Sequence, residues 1–160
     1  MKQGPIIFLK VVILLIAIGA LAAMIRFPQI EGRAANLDLI SIYKDPFIIY
    51  IYIASIPFFV ALYQAFKLLG FIDKNKIFSQ VSVNAVRNIK YCGVAIAAFF
   101  VAAEAYLFIV QRGKSDDIAG GVAGGLLIIF VSVVIATAAA VFQKLLQNAV
   151  DIKSENDLTV

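Results

Sequence analysis

The sequence contains no histidine, no tryptophan and a single cysteine, Cys92. A zinc site or a Cys–His catalytic pair is therefore nearly excluded, and a disulfide within one chain is impossible. No serine or threonine has an obvious base beside it, and no glycine-rich loop is followed by the Lys-Ser/Thr pair that binds phosphate. We therefore predict that the protein is not an enzyme and holds no cofactor.

Charged residues are also scarce, at 15% of the 160 residues, whereas hydrophobic residues make up 62% and the mean hydropathy is +0.96. Four apolar stretches reach the roughly 20 residues that a membrane-spanning helix needs. They cover residues 5–26, 46–69, 88–111 and 118–143. The sequence thus predicts an all-α polytopic membrane protein, with four transmembrane helices in an antiparallel bundle that forms a single domain over residues 1–160.

The first stretch has a competing interpretation. Lys2, the apolar core and the small residues of GALAA are typical of a cleavable signal peptide. The apolar run is longer than a usual signal-peptide core, however, and only Lys10 interrupts it. We favour an uncleaved first helix.

The third and fourth helices are expected to extend beyond the bilayer. Gly70 and the following DKNK indicate a turn, and Ser79 is a good N-cap for a helix over residues 80–111. That helix is about 48 Å long, well beyond a hydrocarbon core of about 30 Å. Residues 142–150 are amphipathic, so the fourth helix is predicted over 118–150, followed by a short polar tail over 151–160.

The distribution of basic residues predicts the orientation. Lys and Arg accumulate on the cytoplasmic side of membrane proteins. Nine of the fourteen basic residues fall on the side that holds both termini and the 70–87 loop, where the excess over acidic residues is five, and the other side is neutral. We predict cytoplasmic termini in the cell membrane. The excess indicates contact with membrane lipids rather than nucleic acid, because no dense basic patch is interleaved with aromatics.

Four glycines, in the segment GGVAGG, open the fourth helix. Small residues four apart let membrane helices approach closely. One reading is a homodimer, and the other, which we favour, is packing within the chain. The candidate helix-packing residues are Gly120, Gly121, Gly124 and Gly125.

Glu104 lies within the apolar run FFVAAEAYLFIV, a few residues outward of the third helix's apolar midpoint. A charged carboxylate in hydrocarbon is expensive, and an intramembrane acid is by default a functional candidate. It can take up a proton, or accept a hydrogen bond from a donor such as Tyr50 or Tyr52. A proton or ligand site and a structural lock between helices both remain open, and we favour the lock.

Residues 57–92, which read PFFVALYQAFKLLGFIDKNKIFSQVSVNAVRNIKYC, and the C-terminal ENDLTV carry a family resemblance. With the outer stretch EGRAANLDL, they resemble the bacterial domain-of-unknown-function family 2975 over nearly the whole chain. The resemblance implies a small four-helix protein of the bacterial inner membrane. It also suggests, by association, a cytoplasmic partner of the small helix-turn-helix regulator class. The candidate partner-binding residues are Asp73, Lys74, Lys76, Glu155, Asn156 and Asp157.

The sequence is compatible with three functions. The first is a non-enzymatic scaffold or sensor, in signalling or regulation, that binds a cytoplasmic partner through residues 70–90 and the tail. The second is immunity against membrane-active peptides, in which the outer loop over about 27–45 matters most. The third is a small oligomeric transporter that uses Glu104, although one buried acid gives few polar groups for a substrate path.

Overall fold

A computed structural model describes residues 3–30, 46–110, 112 and 119–159. The prediction of an all-α chain is confirmed, because four helices account for nearly all of these residues and each is long and apolar enough to cross a membrane. They are α1 (Gln3–Ile30), α2 (Pro46–Asp73), α3 (Gln80–Val110) and α4 (Ala119–Leu158). The predicted helix ends at 111 and 118, and most of the predicted outer loop, lie outside the described residues.

Helix α4 extends beyond its predicted end at residue 150 and continues to Leu158. The segment expected to be a tail is therefore helical over nearly its whole length. The physical reason is that neither glycine nor proline follows Gly125, so nothing in the sequence breaks the backbone hydrogen-bond ladder. The helix ends where the backbone N–H and the hydroxyl of Thr159 both donate to the carbonyl of Asn156, at 3.3 and 2.9 Å.

Helix α2 continues beyond its predicted end at residue 69, since Gly70 is helical and the helix runs to Asp73. Asn75 provides the left-handed residue instead, with φ of 55°. Its N–H donates to the Ile72 carbonyl at 3.1 Å, and the N–H of Lys76 donates to the Phe71 carbonyl at 2.8 Å. These two bonds form a Schellman motif, in which asparagine is the usual alternative to glycine.

The helices pack in chain order, and α1 contacts only α2 while α4 contacts only α3 among the described helices. Tyr52 on α2 donates to the Met24 carbonyl of α1 at 2.9 Å, and Tyr50 donates to the Phe99 carbonyl of α3. Each consecutive pair is antiparallel. The end that holds the α2–α3 turn, with the start of α1 and the end of α4, is called the turn end, and the opposite end is called the loop end.

Small residues set the approach of α3 to α4. A Cβ added to Gly93 would lie 3.1 Å from the Cβ of Ala136 and 3.1 Å from the carbonyl oxygen of Ser132. The two backbones are therefore as close as a glycine allows. In lipid, where no hydrophobic effect drives helices together, such close van der Waals packing is a main source of association.

The largest fully buried side chains lie toward the turn end. Val83 and Val86 of α3 are fully buried against Ala139 and Leu146 of α4. This cluster is flanked by apolar side chains from α2, the turn and both helices, namely Leu68, Ile77, Ile89 and Val150. The α2–α3 turn is thereby fixed to the fourth helix.

We predict that Gly93→Ala lowers the thermal unfolding midpoint in detergent relative to Gly70→Ala. Both changes add the same methyl group within a helix and gain similar helix propensity. The Gly70 methyl meets nothing within 4 Å, whereas the Gly93 methyl forces α3 and α4 apart. Overpacking of this kind costs about 1–3 kcal/mol. Equal midpoints for the two variants would show that the close approach at Gly93 contributes nothing to stability.

Candidate functional site

The start of α3 is fixed by a network of serine hydroxyls. The prediction of Ser79 as N-cap is confirmed, because its Oγ accepts from the N–H of Ser82 at 3.4 Å. The hydroxyls of Ser79 and Ser82 both donate to the carbonyl of Lys76, at 2.8 and 3.2 Å. Ser82 is fully buried. The network holds the turn in one geometry, because each buried hydroxyl has its partner.

Asp73, one of the candidate partner-binding residues, is already engaged within the chain. Its carboxylate lies 3.8 Å from the ammonium of Lys10 on α1, which also lies 5.7 Å from the centre of the Phe66 ring. Tyr52 of α2 is hydrogen-bonded to Met24 of α1, and Phe66 and Lys10 lie 14 residues away from them on their respective helices. The backbone of Lys10 is therefore level with Phe66. Its side chain snorkels along α2 toward the turn end, as lysines do near a membrane surface.

The other candidate partner-binding residues lie at the same end, on two separate elements. Lys74 and Lys76 are in the exposed turn. Gln80 and Gln147 exchange side-chain hydrogen bonds at 3.2 and 3.3 Å, which sets the register of α3 against α4. From Gln147 to Leu158, α4 runs on for about 16 Å, and the remaining candidates, Glu155, Asn156 and Asp157, lie exposed on this extension.

Large apolar side chains are exposed among these polar ones. Phe78 in the turn is 52% exposed, and Ile152 and Leu158 on the extension are 60% and 84% exposed. Within the membrane such exposure is ordinary. At the turn end these side chains lie beside lysines and carboxylates, and apolar surface in a polar region is typical of an interaction site.

Glu104 is buried at the loop end, with 7% of its surface exposed. Within the described residues, its Oε2 atom has no hydrogen-bond partner. Tyr50 of α2 is hydrogen-bonded to Phe99 of α3. Glu104 lies five residues beyond Phe99 toward the loop end, and α2 begins four residues before Tyr50 at that same end. The glutamate is therefore level with the first turn of α2, close to the end of the helices.

The absence of a side chain at Gly125 leaves room for the Glu104 carboxyl group against α4. A Cβ added there would overlap Oε1 of Glu104 and lie 2.8 Å from its Cδ. The other candidate helix-packing residues differ, since no atom of the described residues lies within 4 Å of a Cβ added to Gly120, Gly121 or Gly124. Among the described residues, Gly125 is therefore the one of the four glycines that faces the chain's own packing.

The tyrosines considered as donors to Glu104 are occupied elsewhere. Tyr50 donates to the carbonyl of Phe99 and stacks edge-on against its ring at 5.7 Å, and Tyr52 donates to Met24. Both hydroxyls therefore bind helices together through backbone carbonyls.

All four helices line an apolar groove of about 680 Å³ between α1 and α4, which do not touch. Ser55 and Ser132 are its polar residues, and the hydroxyl of Ser55 donates to the Tyr52 carbonyl at 2.6 Å. The groove is within the size range of ligand sites. Among the described residues, neither Glu104 nor any charged side chain lines it.

Comparison with known proteins gives the family. The sequence of residues 11–160 matches a protein family described as "Protein of unknown function (DUF2975)". The chain belongs to this family. It is also 49% identical, over 162 aligned residues and the full length of both chains, to the uncharacterized membrane protein YoaS of Bacillus subtilis (strain 168). No solved structure matches. The protein is thus a membrane protein of a family of unknown function.

Three features of this DUF2975 chain escaped the sequence reasoning. The Lys10–Asp73 contact joins residues distant in sequence, and no local pattern signals it. Gly93 is a lone glycine in an apolar run, and only the alanine-rich stretch of the helix that faces it hints at close packing. The pairing of Glu104 with Gly125 required the register between α3 and α4.

We predict that Gly125→Ala destabilises the protein, because its methyl group would occupy the space of the Glu104 carboxyl group. The expected loss is about 1–3 kcal/mol, measured as the unfolding midpoint in detergent. Gly121→Ala is the matched control, since no described atom lies within 4 Å of its added Cβ.

A double-mutant cycle tests whether the loss of stability in Gly125→Ala arises from a clash with the Glu104 carboxyl group. In a Glu104→Ala background the carboxyl group is gone, so Gly125→Ala should cost much less than in the native chain. If the cost is the same in both backgrounds, the two residues are not coupled.

Proposed function

We propose that the protein is a non-enzymatic scaffold or sensor of the cytoplasmic membrane, acting in signalling or regulation. Its turn end faces the cytoplasm and binds a protein partner there. The observation that carries the proposal is the extension of α4 to Leu158. It combines carboxylates with the exposed apolar side chain of Leu158, at the same end of the molecule as the basic turn.

The charge distribution supports this orientation. Lys67, Lys90 and Lys144 belong to three different helices and lie toward the turn end, as do the turn lysines. Arg26, near the end of α1, and Arg112, beyond α3, are the basic residues described at the loop end. A basic turn end favours the cytoplasmic side, where anionic lipids also attract lysine side chains.

Rigidity supports a binding role for the turn end. The Schellman motif, the serine network and the buried Val83–Leu146 cluster hold the turn and α4 in a fixed relation. A preformed surface loses little conformational entropy on binding. The small helix-turn-helix regulator suggested by family association is the partner class that we propose to test first.

Transport is the second candidate, and the buried Glu104 is the observation that favours it. It ranks lower because the groove lined by all four helices holds no charged side chain and does not include Glu104. Immunity depends most on the outer loop, and residues 31–45 of that loop lie outside the described structure.

The partner proposal predicts tail-dependent co-purification. The protein is extracted from its own cells in mild detergent, with and without residues 151–160, and retained proteins are identified by mass spectrometry. We expect a small DNA-binding regulator with the full-length chain and its loss on truncation. The Glu155→Ala, Asn156→Ala, Asp157→Ala triple variant should weaken its retention, since it keeps the helix and removes polar contacts.

Glu104→Gln is the matched control, because it changes a residue at the opposite end. It should retain the regulator. Absence of any tail-dependent partner would remove the scaffold proposal, and loss of cellular function on Glu104→Gln with unchanged folding would favour transport.

The orientation predicts which residues a membrane-impermeant thiol reagent reaches. In a Cys92→Ser background, Arg112→Cys should be labelled in intact cells from which any outer barrier has been removed. Ser154→Cys should react only after the membrane is permeabilised, because it lies at the turn end. Both native side chains are exposed. Labelling of Ser154→Cys in intact cells would invert the topology.

A further inference from the structure

The face of α4 that points away from α3 carries a continuous stripe of small and apolar residues. Helix α4 packs against α3 through Gly125, Ser132, Ala136, Ala139 and Leu146, which recur at intervals of three and four residues or their sums. The opposite face repeats with the same spacing. This second stripe, which runs from Gly120 to Ile152, consists of exposed residues and is called the free seam. Among the described helices, α4 contacts only α3.

The outer half of the free seam begins with Gly120 and Gly124 and continues through Leu127 and Val131. No described atom lies within 4 Å of a Cβ added at either glycine. Leu127 and Val131 are 63% and 45% exposed. Glycines four apart let a second helix backbone approach closely, and here the chain's own helices leave that position open.

The inner half continues the spacing of four and three toward the turn end. Its residues, all exposed, are Val134, Ala138, Val141, Leu145, Asn148 and Ile152. The next position in the repeat is Glu155. No seam position before Glu155 is charged, although Lys144 and Asp151 lie on the same turns of the helix. The spacing is that of a coiled-coil seam with one polar position.

We propose that the free seam binds α4 of a second copy of this chain, forming a parallel homodimer. Copies inserted in the same orientation present this seam in the same direction, so identical residues face each other. Gly120 and Gly124 then meet their counterparts at the loop end. Asn148 meets Asn148, whose amide both donates and accepts a hydrogen bond and is therefore complementary to itself.

The size of the free seam suits a second copy. From Gly120 to Ile152 it is about 48 Å long and about 10 Å wide, the diameter of a helix. This corresponds to roughly 960 Å² for two copies in projection, close to the roughly 1,000 Å² that a specific interface requires. Leu127 and Val131 also line the groove, so the free seam borders it.

The test is disulfide crosslinking between single cysteines in isolated membranes, in a Cys92→Ser background, with a mild oxidant. Val134→Cys and Val133→Cys are a matched pair, since both valines are half exposed, at 49% and 50%, and adjacent. Only Val134 lies on the free seam. We expect several times more crosslinked dimer for Val134→Cys, because facing seam positions bring the thiols within bonding range. Equal crosslinking, or none, overturns the proposal.

A second pair of variants tests the seam beyond the membrane. Ile152→Cys should crosslink and Ser154→Cys should not. Adding Asn148→Glu should abolish the Ile152→Cys crosslink through repulsion between facing carboxylates, and Asn148→Leu should preserve it. An unchanged melting midpoint in Asn148→Glu, whose native side chain is exposed, shows that the fold is retained. If Asn148→Glu leaves the crosslink intact, the free seam is not the interface.

Discussion

The close approach of α3 and α4 is the contact on which the rest of the structure depends. Among the described helices, α4 contacts only α3, so that helix alone determines where α4 lies. The approach is set by small residues, with Gly93 facing Ala136 and Gly125 facing Glu104. Because lipid supplies no hydrophobic driving force between helices, close packing and a few polar contacts have to hold them together.

The two ends of this contact differ in chemistry. At the turn end, apolar burial combines with hydroxyl groups that all have partners, and the result is a fixed platform. At the loop end, a carboxyl group fills the space beside a glycine, and one of its oxygens has no partner among the described residues. Buried polar atoms without partners are rare in folded proteins. An activity that involves Glu104 would therefore reside at the loop end, whereas the turn end is where we propose that a protein partner binds.

Much of the fold could be predicted from the sequence because the bilayer fixes the length of an apolar run. Four runs gave four helices, and Ser79 marked the start of α3 through its local capping chemistry. The end of α2 was misplaced because glycine is only one of two residues that readily adopt a left-handed conformation, and Asn75 adopts it here. The candidate sites were less predictable. The contact between Gly125 and Glu104 depends on the register between helices, and so does the contact between Lys10 and Asp73. No local sequence pattern encodes this register.

The chain-order packing has a consequence for assembly in the membrane. Each described helix after the first contacts its predecessor, and none needs a later helix to complete an earlier pair. Domains form from the N-terminus during synthesis, so each helix can dock as it emerges, and no early helix has to wait for a distant one. The last docking step, that of α4 on α3, also closes the serine-capped turn against Leu146. The cytoplasmic surface that we propose therefore becomes complete only once α4 has been synthesised.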